Sequence, residues 1–195
     1  MHNKYKNSKK IAVVFAINEL YSFCIYVSIC SLLKNSPHLM QQSDIIIYNC
    51  NMSDRDKNVF NTFDNIRIID YKFPLKIEKT NAIKIFSIAS FARYECFDML
   101  NYYEKVIYLD ADILVQKELL NIFNLICENG IGLIKEKTNV KLFSLKIENF
   151  SLKKTIFNSG FIVLNRKLKV NFKEITDFCY KTTVQYIKYL YLPSL

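Results

Sequence analysis

The sequence predicts an α/β fold in which a mostly parallel sheet is flanked by helices. Short runs of β-branched and other apolar residues alternate with segments of helical periodicity along most of the 195 residues. One apolar run, Val106–Val115, carries two acids, and folds of this class bind ligands at the carboxyl ends of their strands. With 51% hydrophobic residues, the chain can bury the core of one domain. We therefore expect a single domain over residues 11–195, preceded by a flexible basic tail at residues 1–10.

The first half of the chain predicts three strands separated by helices. The predicted strands are residues 11–17, 44–48 and 66–69. The apolar helix after the first strand ends at Ser36–Pro37, because proline cannot continue it. Ser53 and Asp56 resemble a capping box, which would open a second helix that extends through Phe63. A third and longer helix is expected over Asn81–Tyr102.

Asp110 and Asp112 lie in the run Val106–Val115, which is typical of a buried strand. In extended backbone, residues i and i+2 face the same side, so both carboxylates would enter one crevice and repel each other until a cation joins them. A hard divalent metal prefers such oxygen ligands, and beside a diphosphate it would offset the charge on the departing group. Two acids after a strand are also common in a solvated turn, so this motif alone is weak.

The second half of the chain predicts shorter elements. A short helix is expected over Glu118–Ile126, a strand over Ile131–Ile134, and a polar, less ordered segment up to Lys154. The last strand lies within Phe157–Asn165 and opens at Gly160. A final amphipathic helix is indicated by apolar residues at helical spacing, namely Ile175, Phe178, Cys179, Tyr186 and Leu190.

Charge and cysteine content exclude some classes of function. The net charge of +9 comes from lysines spread through the chain, with no basic cluster interleaved with glycine and aromatic residues. This argues against nucleic-acid binding, whereas weak attraction to anionic membranes or phosphate-bearing substrates is compatible with it.

The six cysteines form no C-x-x-C pair and lie mostly in apolar runs, which indicates buried thiols in a reducing compartment. Asn18 and Glu19 interrupt the apolar segment 11–33, so a strand, a turn and a helix explain it better than a membrane anchor. We expect a cytoplasmic protein with, at most, peripheral association at the inner face of the membrane.

Four blocks of the sequence, in their order and spacing, resemble glycosyltransferase family 8, the family of glycogenin and of bacterial lipopolysaccharide galactosyl- and glucosyltransferases. The blocks are Phe15–Tyr21, Ser90–Tyr94, Tyr108–Val115 and Phe157–Gly160. The resemblance implies a GT-A fold, a Rossmann-like sheet that binds a UDP-sugar. It also implies transfer of a hexose to an acceptor hydroxyl with retention of anomeric configuration, usually with manganese. The family's commonest acceptors are lipopolysaccharide and other surface or lipid-linked glycans.

The resemblance implies a nucleotide site at the end of the first strand and a metal site after the fourth. By position, Ala16, Asn18 and Tyr21 would hold the uridine, with Tyr21 stacking on the base. The alternative for Tyr21 is an aromatic residue at a helix start, packed on the sheet. Asp110 and Asp112 match the family's pair of metal ligands, for Mn²⁺ or Mg²⁺.

Three further residues match positions near the donor phosphates and sugar. Arg93 looks like the family's basic residue there, although it could instead pair at the surface with Glu95 or Asp98. Asn158 matches the Asn beside the donor sugar, although an Asn near a Gly is also ordinary turn chemistry. Glu136 lies where some relatives place an Asp that contacts the sugar.

The sequence also departs from the family's pattern. Relatives carry a later acid and a H-x-x-G-x-x-K-P-W-like segment, whose His is the third protein ligand of the metal, and neither is present here. His2 and His38 lie in the expected tail and at a helix end, so we expect a chain that lacks the family's C-terminal segment.

One hypothesis is a retaining transferase in which the leaving phosphate assists front-face attack, because no carboxylate is placed as a covalent nucleophile. A second is a remnant that binds UDP-sugar or nothing.

A remote third hypothesis is a haloacid-dehalogenase-type phosphatase, which also places D-x-D after an apolar strand. That class requires Thr or Val two residues after the second acid, where this chain has Leu114.

Overall fold

The computed structural model describes residues 9–124, 129–136 and 157–189. Within these ranges, six strands form one sheet in the order β3-β2-β1-β4-β6-β5. The strands are β1 (Ile11–Asn18), β2 (Ser43–Cys50), β3 (Ile66–Asp70), β4 (Lys105–Leu109), β5 (Ile131–Lys135) and β6 (Phe157–Asn165). β1 to β4 pair in parallel, whereas β6 runs antiparallel to both β4 and β5. The predicted α/β class with a mostly parallel sheet is confirmed.

Helices cover both faces of the sheet. They are α1 (Ser22–Asn35), α2 (Pro37–Gln41), α3 (Asp54–Phe60), α4 (Asn81–Phe86), α5 (Glu95–Asp98) and α6 (Phe172–Tyr186). The alternation of side chains along β1 divides the core in two. Val13 and Phe15 pack in one cluster with Ile25 of α1, and Val14 packs in the other with Cys96 of α5. This central strand is buried on both faces, as its uninterrupted apolar sequence predicts.

The segment after β1 folds as expected from its polar interruption. Asn18 ends the strand, and its side-chain Oδ1 accepts a hydrogen bond from the Leu20 N–H at 3.1 Å, which caps a 3₁₀ turn leading into α1. α1 ends before Pro37, and Pro37 opens the short helix α2, where a proline at the first position is favourable. Among the helices of the described ranges, none combines the length and apolar character needed to cross a bilayer.

The long helix predicted over Asn81–Tyr102 is wrong, because the chain breaks at Ser87. That residue has φ +63° and ends α4. Its hydroxyl oxygen accepts a hydrogen bond from the Ala89 N–H at 3.3 Å and so begins a 3₁₀ helix over Ile88–Tyr94, which continues into α5. Serine competes well for such cap positions, and apolar periodicity does not reveal the competition.

The predicted strand Val106–Val115 is correct only as far as Leu109. Asp110 and Asp112 lie in a turn, in which the Ile113 N–H donates to the Asp110 carbonyl oxygen at 3.2 Å. The chain after the turn is fastened to α1, since the Val115 N–H donates to the Ser31 hydroxyl at 2.9 Å. Strand alternation therefore does not explain the placement of the two acids; a turn does.

Three other boundaries differ from the prediction. α3 begins after the predicted cap, where Ser53 Oγ accepts from the Asp56 N–H at 3.1 Å, but it ends at Phe60. The helix predicted over residues 118–126 is a 3₁₀ helix at Leu120–Asn124, and residues 125–128 lie outside the described ranges. Gly160 lies inside β6 and does not open it. The predicted polar segment and the N-terminal tail lie mostly outside the described residues.

The predicted C-terminal helix is confirmed as α6, with a different buried face. Phe178, expected inside, is 67% exposed, whereas Thr176 and Tyr180 are buried. Tyr180 donates to Glu95 Oε1 at 2.7 Å, and the Thr176 hydroxyl bonds to the Phe172 carbonyl oxygen at 3.0 Å. Hydrogen bonding of buried polar side chains decides this face, and a search for apolar spacing misses it.

Candidate functional site

A cleft of about 370 Å³ opens at the carboxyl edge of the parallel strands. Its walls are the end of β1, the turn after β4, and the segment that runs from α4 into the following 3₁₀ helix. Six of the sequence-predicted site residues line it: Ala16, Asn18, Tyr21, Arg93, Asp110 and Asp112. The structure thus brings together the end of the first strand and the acid pair, as the position of the motifs predicts.

The end of β1 forms the first wall. Ala16 is buried, and the Oδ1 of Asn18, the last residue of β1, accepts a hydrogen bond from the Leu20 N–H. Tyr21 is 48% exposed, so its ring is not sealed against the sheet as the alternative reading proposed. This wall therefore offers a side-chain amide and an accessible aromatic ring.

Asp110 is held at the floor of the cleft by three contacts. Its Oδ1 accepts hydrogen bonds from the Tyr108 hydroxyl at 2.9 Å and from Arg93 Nη2 at 3.1 Å. Its backbone N–H donates to the carbonyl oxygen of Gly160 in β6 at 2.8 Å. Asp112 lies beside it and is exposed to the cleft. The two acids differ: one is fixed by the protein and the other is open to solvent.

Arg93 is bound by the protein at each of its guanidinium nitrogens. Nε donates to the Ser90 carbonyl oxygen at 2.6 Å, and Nη1 donates to the carbonyl oxygen of Ser159 at 2.7 Å and to its hydroxyl. The guanidinium lies over the Tyr108 ring, 4.9 Å from its centroid, and pairs with Asp110. The alternative of a surface pair with Glu95 or Asp98 is wrong.

Tyr108 is a part of the site that sequence reasoning missed. Its side chain is only 1% exposed, although it borders the cleft. Burial raises the pKa of its phenol far above the usual range, with the nearby Arg93 acting in the opposite direction. The hydroxyl therefore keeps its proton and acts as a donor to Asp110. The available signal was its position two residues before Asp110, as the second-to-last residue of β4.

Asn158 and Glu136 are brought together near Asp110 but are not among the residues that line the cleft. Asn158 Nδ2 donates to Glu136 Oε1 at 2.9 Å, and Asn158 Oδ1 accepts from the Gly160 N–H at 2.8 Å. A Cβ at Gly160 would overlap Asp110 Oδ2 and would lie 3.0 Å from its Cγ and 3.2 Å from Asn158 Oδ1. Glycine here permits the close approach of β6 to the carboxylate.

Lys84 and Phe86 also line the cleft and were not predicted. They lie on the last turn of α4, just before the break at Ser87, which turns this segment toward the acid pair. A continuous helix over this region gave no reason to single them out. Lys84 adds a second positive charge to a cleft that contains Arg93.

The sequence profile of Glycosyl transferase family 8 matches residues 12–195. The chain belongs to glycosyltransferase family 8. This assignment favours the transferase hypothesis over the phosphatase. No protein of curated function matches this family 8 chain significantly in sequence.

Solved glycosyltransferases share the fold of this family 8 chain. One is the galactosyltransferase LgtC, solved with donor and acceptor sugar analogs, at 21% identity and a TM-score of 0.63 over 93% of this chain and 66% of LgtC. Another is apo GlyE of Streptococcus pneumoniae TIGR4, at 24% identity and a TM-score of 0.54 over 91% of this chain and 39% of GlyE. The bifunctional WbbM matches at 15% identity and a TM-score of 0.60 over 97% of this chain and 40% of WbbM. The predicted GT-A fold is confirmed, and the chain spans less than two thirds of the length of these three proteins.

Proposed function

We propose that this family 8 chain transfers a hexose from a UDP-sugar to an acceptor hydroxyl with retention of anomeric configuration. The observation that carries the proposal is that Asp110, Asp112 and the carboxyl end of β1 border one cleft. A nucleotide bound at the end of β1 would direct its diphosphate toward the two acids. Lys84 and Arg93 line the same space.

The uridine would bind at the first wall. The exposed ring of Tyr21 can stack on the base, which contributes apolar contact at little conformational cost. Asn18 has its Oδ1 occupied by the Leu20 N–H, which leaves its NH₂ group to act as a donor to a ligand. Such a donor complements a base carbonyl, and uracil presents two of these.

A divalent cation, Mn²⁺ or Mg²⁺, fits the acids of the cleft. Carboxylate oxygens are the hard ligands that such ions prefer. Asp110 Oδ1 is engaged by Tyr108 and Arg93, but no described residue donates a hydrogen bond to Oδ2, and Asp112 is exposed. Asp110 and Asp112 would hold the cation, which when bound neutralises the charge of the departing diphosphate. The described residues contain no cluster of three His, Cys, Asp or Glu side chains, so two carboxylates are what this part of the chain supplies.

The donor sugar would lie on the Gly160 side of Asp110, within reach of Asn158 and Glu136. In front-face transfer the bond between the anomeric carbon and the diphosphate breaks, the acceptor oxygen bonds to the same face, and the acceptor proton passes to the departing phosphate. The protein's part is to hold the two substrates in place and to exclude water, which accounts for much of the rate of such reactions. A lipopolysaccharide or other lipid-linked glycan at the cytoplasmic face of the membrane is the acceptor class we propose, in keeping with the net charge of +9.

The test is calorimetric titration of UDP into the chain with Mn²⁺ and with EDTA. The double variant Asp110→Asn, Asp112→Asn should lose the part of the affinity that depends on Mn²⁺. Asp177→Asn on α6, which removes an acid that does not line the cleft, should match the wild type. Unchanged Mn²⁺-dependent binding in the double variant would refute the metal assignment. Release of UDP from UDP-hexoses with Mn²⁺ separates an active transferase from the second hypothesis, a chain that binds the donor without turnover.

A further inference from the structure

Tyr108 is placed to control the geometry of Asp110. Both side chains emerge on the same side at the end of β4, and the buried hydroxyl donates to Oδ1 at 2.9 Å. A hydroxyl this deeply buried has little access to water as an alternative partner, so its hydrogen bond to the carboxylate is expected to persist.

Arg93 acts on the same oxygen from a second direction. Its Nη2 reaches Asp110 Oδ1 at 3.1 Å, while bonds to Ser90 and Ser159 and the stack on Tyr108 hold the guanidinium in place. Because every guanidinium nitrogen has an acceptor within the protein, this side chain is a fixed donor with little capacity left for a ligand.

The third boundary of the carboxylate is β6. The backbone of Gly160 lies so close to Asp110 Oδ2 that a Cβ there would overlap it. Rotation of the carboxylate about its Cβ–Cγ bond would move Oδ1 away from both of its donors and toward this strand. The carboxylate is therefore confined, with Oδ1 bound by the protein and Oδ2 without a donor among the described residues.

We propose that Tyr108 is a positioning residue which, together with Arg93, holds Asp110 by Oδ1 and reserves Oδ2 for the divalent cation. The proposal rests on the proposed function, because it takes Asp110 as a metal ligand. Groups that orient a metal ligand from behind commonly change metal affinity by about 10- to 100-fold when they are removed. Arg93 accordingly serves the metal site rather than the donor phosphates, and Lys84 is the cation left to face the phosphates.

The variant Tyr108→Phe removes the hydroxyl and keeps the ring under Arg93. The matched control is Tyr103→Phe, which also removes a buried phenol that donates to a carboxylate, Asp44 Oδ2 at 3.0 Å. Tyr103 precedes β4 and lies at the opposite edge of the sheet from the cleft. UDP affinity is measured by calorimetry across a Mn²⁺ series and in EDTA, and folding is checked by thermal unfolding.

We expect Tyr108→Phe to raise the Mn²⁺ concentration for half-maximal enhancement of UDP binding by about tenfold. Its UDP affinity in EDTA should equal that of the wild type, and Tyr103→Phe should match the wild type in both measurements. An equal or lower Mn²⁺ requirement in Tyr108→Phe would overturn the positioning role and leave the proposed function intact. An equal loss of affinity in EDTA would also overturn it, since the hydroxyl would then act on the nucleotide or on the fold.

A wild-type chain whose UDP binding ignores Mn²⁺ would refute the proposed function and the positioning role with it. Arg93→Lys supplies a second test, which can be read even if Tyr108→Phe fails to fold. Lysine keeps the charge but cannot bridge Asp110 and Ser159. This variant should raise the Mn²⁺ requirement with unchanged affinity in EDTA. A fall in affinity in EDTA would place Arg93 on the donor and overturn its share of the proposal.

Discussion

Gly160→Ala is the most direct test of the close approach between β6 and the acid pair. The added methyl group would lie 3.0 Å from Asp110 Cγ and 3.2 Å from Asn158 Oδ1, and closer still to Asp110 Oδ2, whereas ordinary contacts of a Cβ begin near 3.4 Å. The Cγ alone must therefore move by about 0.4 Å, and the carboxylate oxygen further. Such movement stretches the hydrogen bonds that Tyr108 and Arg93 make to Oδ1.

The magnitude follows from two opposing effects. Overpacking of this kind costs about 1–3 kcal/mol, and replacement of glycine by alanine returns about 0.4–1 kcal/mol by restricting the unfolded chain. We expect a net loss of about 1–2 kcal/mol in the free energy of unfolding, measured by urea denaturation. Mn²⁺-dependent affinity for UDP should fall by about tenfold, because a displaced ligand oxygen no longer meets the cation correctly.

Gly130→Ala is the matched control. Gly130 has φ +76°, and a Cβ there would lie 2.6 Å from the backbone nitrogen of Leu168, at the opposite end of β6 from the acid pair. Its replacement should destabilise the fold at least as much and leave UDP binding by the folded protein unchanged. If Gly160→Ala bound UDP with Mn²⁺ as tightly as the wild type, the confinement of Asp110 by β6 would be refuted.

Two further predictions concern charge. Lys84→Ala should weaken binding of UDP by about two- to fivefold at low salt, because an exposed lysine attracts phosphate only modestly and salt screens the attraction. Binding of uridine, which has no phosphate, should be unchanged. Lys181→Ala on α6 is the control, and an equal loss of uridine affinity in Lys84→Ala would contradict the assignment of Lys84 to the phosphates. Glu118→Gln should lower the melting temperature at pH 7 and not near pH 3. Burial opposes ionisation of Glu118, but hydrogen bonds from the Ser36 hydroxyl and from backbone N–H groups at the start of α2 outweigh it and lower the pKa of this carboxyl. A carboxyl whose pKa is lower in the folded state stabilises the protein at pH values above its unfolded-state pKa. This stabilisation is lost as the pH falls through the folded-state pKa, so an equal difference between the melting temperatures of the two proteins at pH 7 and pH 3 would contradict this account.

The sequence predicts the sheet better than the segments that surround the site. Apolar runs located the strands because burial on both faces leaves few other residue types possible, as in Ile11–Ile17. The break at Ser87 escaped prediction because a serine can cap a helix or sit on its surface, and only the tertiary context selects one. The predicted strand likewise overran Leu109, since the apolar residues after the acid pair pack against α1 from a turn. Lys84 and Phe86 were missed because of the break at Ser87. The six residues taken from the first three blocks border one cleft, whereas Asn158 of the fourth block does not line it.

The balance of charge in the cleft explains why a cation should be required. Among the described residues that line it, the charged ones are Lys84, Arg93, Asp110 and Asp112, which sum to zero. Arg93 is already neutralised by Asp110, to which it is bonded at 3.1 Å, so Lys84 alone would face the diphosphate against the exposed carboxylate of Asp112. A UDP-sugar adds two further negative charges, and their repulsion by Asp112 is unfavourable in a partly enclosed space. A divalent cation shared by the acids and the diphosphate converts that repulsion into attraction, which is the physical reason to expect that UDP affinity and Mn²⁺ affinity rise together.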